Sequence, residues 1–157
     1  MEREAFREAC ARYATGITVA TVIGADGHPQ GLTANSFSSV SWNPPLVLVC
    51  VDHRAAVHEH FFASDAFAIN ILAEDQRELS VRFATAGAER FNGLGWEKGA
   101  TGAPLISGAL AHLECRTTHR HVAGDHTIFV GEVVRAAWRE GRPLVYFYRD
   151  YRSLDAG

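Results

Sequence analysis

Short β-rich runs, each closed by a turn signal and mostly joined without a regular helix between them, constrain this chain more than any other feature. "TGITVATVIG" is dense in β-branched residues and leads into "ADGHPQG", whose Asp-Gly and His-Pro pairs mark a hairpin before "LTANSF". "PLVLVCV", continuously apolar between Pro44-Pro45 and Asp52, predicts a strand buried on both faces. "AFAINIL" predicts another strand. "ALAHLECRTTHRHV", "HTIFVGEVVRAAW" and "PLVYFYRDY" predict three more, the first two joined through Ala123-Gly124-Asp125. Helical spacing is confined to residues 4–13, with Phe6, Ala9, Cys10 and Tyr13 on one side, to "AVHEHFFAS", and to "EDQRELSVRFAT" with Leu79 and Phe83 inward. The span "AGAERFNGLGWEKGATGAPLISG" holds six glycines and a proline and predicts a long ordered loop. About six strands in hairpins, with few helices, make the chain mainly β and favour a closed antiparallel β-barrel over a doubly wound sheet. No GxGxxG follows a strand, so a nicotinamide cofactor would not be held by a Rossmann unit.

A chain of 157 residues, 47% hydrophobic, buries one substantial core, which predicts a single domain over residues 1–157. Fifteen Lys and Arg stand against 18 Asp and Glu, for a net charge of -3, and the cations are scattered, which argues against a nucleic-acid partner. No apolar run reaches the roughly 18 residues that cross a bilayer, and "MEREAFREAC" lacks the basic and apolar regions of a signal peptide. A soluble, cytoplasmic protein with no membrane partner is expected. Cys10, Cys50 and Cys115 form neither a CxxC pair nor an even set, so reduced thiols are expected.

Three segments could carry chemistry. Between residues 31 and 52, Thr33, Asn35, Ser36, Ser38, Ser39 and Ser41 precede Trp42-Asn43-Pro44-Pro45. They describe either an edge strand with hydroxyls in water or a site where small side chains and backbone N–H groups let a planar heterocycle approach closely. In "AGDHTIFVGEV", His126 follows a Gly-Asp turn at the mouth of a strand, placed either for a neighbourly hydrogen bond or beside a bound cofactor. His119 and His121, two apart on a strand, share a face, and Glu114 or His126 could complete a cupin-like metal site. The glycine spacing before them does not fit one, and no metal is expected. His53, His58 and His60 suggest a solvated helix start, since positions 58 and 60 do not share a helical face.

Taken together, "ATGITVATV", "GLTANSFSSVSWNPPLVLVCVD", "FAINIL", "RFNGLGWEKGATGAPLISGALAHLEC" and "AGDHTIFVGEV" resemble the flavin reductase family with the FMN-binding split-barrel fold. The chain is most similar to the short reductase components of two-component flavin-dependent monooxygenases. The resemblance runs from about Tyr13 to Tyr151 and implies an antiparallel, Greek-key-like six-stranded barrel. It also implies a homodimer with flavin near the subunit interface, a hydride drawn from NADH or NADPH, and reduced flavin passed to a separate monooxygenase. On this resemblance Thr33, Ala34, Asn35, Ser36, Phe37 and Ser39 border the flavin. Cys50, Val51 and Asp52 contact it from a strand end, as do Arg82 and Phe83 from a helix end. His126 lies near the nicotinamide and serves as the catalytic residue. Tyr148 and Tyr151 lie where the C-terminal segment closes over the site.

One departure from the family pattern is visible in "DHRAAVHEHF". Ala55 and Ala56 stand where relatives often carry Ser or Thr for the flavin phosphate, and Arg54 could substitute. The choices between FMN and FAD, and between NADH and NADPH, stay open. A flavin carrier without reductase activity and a metalloenzyme built on the histidines are the competing readings.

Overall fold

Periodicity of two in the strands and of 3.6 in the helices resolves into the following order. The computed structural model describes residues 1–154. Helix α1 (Arg3–Cys10) is followed by β1 (Thr15–Gly16), β2 (Thr18–Ile23), β3 (Pro29–Ala34), β4 (Ser38–Trp42) and β5 (Pro45–Asp52). Next come α2 (His58–Ala63), β6 (Ala66–Ile71) and α3 (Arg77–Ala84), the last entered through a 3-10 turn at Glu74–Gln76. Then follow β7 (Trp96–Lys98), β8 (Pro104–Ile106), β9 (Ala111–Ala123), β10 (His126–Trp138), β11 (Val145–Phe147) and β12 (Asp150–Arg152).

The main sheet has seven strands in the order β3-β2-β6-β9-β10-β5-β4, one more than the sequence predicts, with antiparallel ladders throughout. Its two edge strands, β3 and β4, are consecutive in the chain and joined by residues 35–37 alone. Four Cα steps of about 3.5 Å reach no more than roughly 14 Å, so the two ends of the sheet must curl toward each other. No ladder joins β3 to β4 among the described residues, and the ring stays split at that seam. One side chain bridges it. Ser36 Oγ accepts a hydrogen bond from the Cys50 N–H at 3.0 Å and donates to the Cys50 carbonyl at 3.1 Å, continuing on β5 the pairing that β4 ends at Ser38 and Leu48.

The ladder also fixes what β3 presents to the seam. Gly24 N–H donates to the His28 carbonyl at 2.9 Å, so the pairs Val22–Gln30 and Ala20–Leu32, each two residues further along, exchange the hydrogen bonds of the β2–β3 hairpin. The backbone groups of Gly31 and Thr33 therefore face away from β2, toward the open edge. Arg90 Nη1 meets the Gly31 carbonyl there at 2.9 Å.

Two cores lie on either side of β2, whose residues from Thr18 to Val22 are all buried. Ala20 and Val22 face the barrel interior with Val47, Val49, Val51, Phe61, Phe67 and Phe129. Val19 faces a second cluster, where Leu79 and Phe83 of α3 meet Ile17, Leu72, Ile106 and Leu144. Strand β5, expected to be buried on both faces, instead alternates: Val47, Val49 and Val51 point inward, while Leu46, Leu48, Cys50 and Asp52 are half-buried on the other face. Gly131 sits at a register shift of β10, where an added Cβ would come within 2.6 Å of the Phe67 ring.

Two further expectations are corrected. The predicted long loop contains the β7–β8 hairpin, because Ile106 and Leu105 are buried and anchor it despite the glycines around them. "PLVYFYRDY" is not one strand but the hairpin β11–β12, turning at Tyr148 and Arg149, both left-handed with φ of 51° and 61°. The helix expected near the N-terminus is present as α1, and it buries no residue, with Phe6 55% exposed.

At the end of β5, Asp52 Oδ1 accepts from the Arg54 N–H at 2.8 Å and from its Nε at 3.2 Å, and Oδ2 accepts from Nη2 at 2.8 Å. These bonds, the side-chain one foremost, hold the Asp52 carboxyl far below its ordinary value.

Ser36→Ala leaves both backbone groups of Cys50 unpaired at a half-buried position and is expected to lower stability by about 1–3 kcal/mol in urea denaturation. Ser38→Ala, whose hydroxyl only meets the neighbouring Ser39 carbonyl, is the matched control and should move stability by no more than about 0.5 kcal/mol. Because the folded Asp52 carboxyl is depressed, its contribution is complete above the ordinary carboxylate range and is lost as pH falls below it. Arg54→Ala should therefore be less stable than the unsubstituted chain near neutrality, with the two curves converging in strong acid. A stability gap that is the same at about pH 7 and about pH 2 would exclude the ionised pair as its source.

Candidate functional site

The seam gathers much of what the sequence singles out. Asn35 is exposed on the link across it, Ser36 is tied to Cys50, and two residues on, Asp52 pairs in register with His126 at the start of β10. The β9–β10 turn that delivers His126 passes through Gly124, whose φ of 63° lets the chain reverse there. Asp125 Oδ1 lies 2.7 Å from His126 Nδ1, so the ionised carboxylate accepts from Nδ1–H, and Nε2 carries no hydrogen bond among the described residues. The same hydrogen bond lowers the pKa of the Asp125 carboxyl.

Beneath this mouth, on the opposite face of β10, Thr127 is fully buried. Its Oγ1 is 3.1 Å from His53 Nε2 and 2.9 Å from His58 Nε2. A hydroxyl has one proton to give, so at most one imidazole accepts and the other must donate. His58 also packs edge-on against Phe129, with ring centroids 6.0 Å apart. The expected solvated helix start is thus corrected: two of its histidines are locked to the strand that carries His126.

The other predicted residues are placed as follows. The Thr33 hydroxyl donates to the Ser80 carbonyl of α3 at 2.5 Å, and Ser80 Oγ meets the Tyr151 hydroxyl at 2.8 Å. Thr33, Ser80 and Tyr151 thereby form one connected set, although their hydroxyls are used within the protein. Val51, Phe83 and Ala34 have buried side chains, so the surface they offer a ligand is backbone. Arg82 donates to the Asn92 carbonyl and ties down the loop after α3. Phe37 and Ser39 turn the other way, into an apolar groove of about 380 Å³ shared with Trp42, Leu113 and Val133. Tyr148 lies apart from the seam cluster, 46% exposed against α1, with the Arg12 guanidinium 4.2 Å from its ring centroid. Arg54, committed to Asp52 through Nε and one N–H of Nη2, keeps the other Nη2 N–H and both of Nη1 for a phosphate.

The histidines weighed as metal ligands do not converge. His112 Nε2 donates to the Ile106 carbonyl at 2.8 Å, and Glu114 accepts from the Thr101 N–H at 3.0 Å. His119 and His121 stack on each other at 5.6 Å on the exposed part of β9. No group of three metal-ligating side chains is present among the described residues. A flavin fits better. Its ring needs a flat approach and hydrogen-bond partners along one edge, and the open side of β3 offers the backbone of Gly31 and Thr33 with the small side chains of Asn35 and Ser36 beside it.

Sequence reasoning missed Ser80, Arg90 and Thr127, and the bond of His58 to Thr127. Only Thr127 carried a local signal, as the residue after the Gly-Asp-His turn; the others act through contacts distant in sequence.

Comparison with known proteins identifies the family. Residues 10–155 match the family described as "Flavin reductase like domain". An FMN reductase (NADH) of Agrobacterium fabrum is 48% identical over 141 residues, covering 90% of this chain and 80% of that protein. The structure of a Streptomyces globisporus NADH:FAD oxidoreductase in complex with NAD and FAD fragments superposes with a TM-score of 0.92 at 39% identity, over 98% of this chain and 93% of that one. A Sinorhizobium meliloti oxidoreductase structure superposes with a TM-score of 0.94 at 38% identity over 98% of this chain, which spans only 54% of that longer protein. Matched over nearly its whole length in sequence and in fold, the chain belongs to the flavin reductase family.

Proposed function

We propose that this protein is an NAD(P)H:flavin oxidoreductase, which moves a hydride from a reduced nicotinamide to FMN or FAD and supplies reduced flavin to a separate flavin-dependent monooxygenase. The observation that carries the reading is the open edge of β3, held beside the strand ends that bear Asp52 and His126. The flavin supplies the redox chemistry when bound. The chain's part is to hold two rings face to face and leave one flavin face open. Backbone N–H groups along β3 favour the negative charge that grows on the ring as it is reduced. Asn35, Ser36, Cys50 and Asp52 line that strip, with Thr33, Ala34, Val51 and Phe83 contributing mainly backbone or packing, and Arg54 and Arg82 at its margins. His126, with Nδ1 on Asp125, presents Nε2 to the nicotinamide. Tyr151 holds the C-terminal hairpin against α3, and Tyr148 marks its turn.

The unit is a single domain over residues 1–157, of which 155–157 lie outside the described residues. It works as a homodimer. Trp42 is 93% exposed and Val40 about half, and both line the groove that holds Phe37 and Ser39 with Leu46, Leu113 and Val133. Contiguous apolar surface of this kind marks an association face. No helix is long and apolar enough to cross a membrane among the described residues. A cytoplasmic setting suits three free thiols and a reaction fed by reduced nicotinamide. A carrier without reductase activity is not favoured, since relatives at 40–48% identity are named as reductases.

Loss of the reduced-nicotinamide absorbance, followed with FMN, FAD or riboflavin added in turn to NADH or NADPH, tests the activity. Flavin-dependent turnover is expected; flavin binding without nicotinamide oxidation would favour the carrier. His126→Ala should raise the KM for NADH about tenfold, near 1.4 kcal/mol, with flavin affinity retained. A variant that loses flavin and keeps its NADH affinity would move His126 to the flavin side. Trp42→Arg should convert a dimer to a monomer in light scattering; an unchanged mass would place the interface elsewhere.

A further inference from the structure

The loop after β5 holds the β9–β10 turn from both sides of His126. On one side, the His53 backbone N–H donates to the Asp125 carbonyl at 3.0 Å. On the other, the His53 side chain reaches Thr127, the next residue of β10, with Nε2 at 3.1 Å from Oγ1. One residue of the loop thus grips both chain neighbours of His126. Two short turns shape that loop: the Ala55 N–H donates to the Asp52 carbonyl at 3.0 Å, and the His58 N–H donates to the Ala55 carbonyl at 2.9 Å. They bring His58 Nε2 within 2.9 Å of the same Thr127 hydroxyl.

The ladder keeps this grip away from the ligand side. Thr127 pairs with Val51, and both are fully buried, whereas His126 pairs with Asp52, half-buried on the other face. With the Asp125 carbonyl and the Thr127 hydroxyl both held, the backbone on either side of His126 is fixed, and its ring keeps only the rotations of its own side chain. The Asp125 carboxylate restricts those by accepting from Nδ1–H at 2.7 Å. The hydroxyl at position 127 is what the grip requires. It has one proton and two lone pairs, so it donates to one imidazole while accepting from the other; a valine of the same shape would leave both rings without that partner. His58 is braced in turn, its ring 6.0 Å from Phe129 and 4.9 Å from His53 between centroids.

We propose that His53, Thr127 and His58 are positioning residues that fix His126 for the nicotinamide, acting from the opposite face of β10. On the flavin reductase reading, on which this rests, His126 meets the nicotinamide, and the loop after β5 sets the precision of that contact.

Three variants separate positioning from folding. His53→Ala removes an exposed side chain and leaves the backbone bond to Asp125, Thr127→Val keeps the shape and removes the hydroxyl, and Thr127→Ser keeps the hydroxyl. Each is made alone and with His126→Ala, and the KM for NADH and the flavin Kd are measured. His53→Ala and Thr127→Val should each raise the KM for NADH about fivefold with the flavin Kd unchanged, and neither should raise it further once His126 is alanine. Thr127→Ser should keep the KM of the unsubstituted chain. An unchanged KM, an equal rise with and without the His126 side chain, or a weakened flavin Kd overturns the assignment while the reductase reading stands. The ring 15N resonances of His126, recorded by NMR in mildly alkaline buffer, test the grip without turnover. They should report a proton on Nδ1 in the unsubstituted chain and shift toward tautomer-averaged values in His53→Ala and Thr127→Val. Resonances that stay in place overturn the grip; resonances that shift in a chain without flavin-dependent NADH oxidation keep the grip and remove the reductase reading.

Discussion

Everything at the mouth of this barrel depends on one hydroxyl bonded to both backbone groups of one residue. Strand β4 stops pairing with β5 at Leu48, and Cys50 would face the split with nothing opposite it. Ser36 supplies a donor and an acceptor from the three-residue link and so sets how far the end of β3 stands from β5. The opening is kept without a strand to fill it. An edge strand is ordinarily a liability, since its free N–H and C=O groups invite another chain. Here the edge is short, flanked by the loops after β5 and α3, and partly capped by Arg90.

Around that opening the ionisable groups come in pairs. Asp52 is held by Arg54 and Asp125 by His126, each carboxylate turned onto a local partner. Both stay ionised, and both restrict where their partners point: Arg54 folds back over the strand end, and His126 is fixed in the tautomer that carries its proton on Nδ1. Apart from the unspent N–H groups of Arg54, the donors left over come from the backbone. A site built this way recognises the edge of a ring by its position more than by charge, which suits a ligand that must arrive, react and leave.

The strands and their hairpins were legible in the sequence because turn chemistry is local: Asp26-Gly27 and Gly124-Asp125 announce reversals whatever surrounds them. The seventh strand of the main sheet was not, since β4 is a run of Ser, Val and Trp that reads as a polar loop until β5 lies beside it. Strand β5 gave the opposite error. Its unbroken apolar run suggested burial on both faces, yet its outer face is only half-buried, and Leu46 lines the groove that includes Trp42. The β7–β8 hairpin was hidden by its glycines, and its existence turns on the burial of Ile106, a tertiary fact. At the site, residue types were readable and their commitments were not. Thr33 and Ser36 look like ligand contacts in a one-dimensional chain, but both hydroxyls are engaged by segments 14 or 47 residues away.

The turn at Tyr148 and Arg149 has a consequence for how the two ends of the described chain depend on each other. Two successive left-handed residues with side chains each cost on the order of 1–2 kcal/mol, so the turn persists because its surroundings hold it. What holds it is α1 and the two residues after it: Arg149 reaches Glu8 at 2.7 Å, the Tyr148 N–H donates to the Ala11 carbonyl at 3.0 Å, and Arg12 lies over the Tyr148 ring. These contacts sit at the surface, where dissolved ions compete over a Debye length of about 8 Å at physiological strength. A helix that buries nothing thus gives the hairpin carrying Tyr151 a sensitivity to ionic strength.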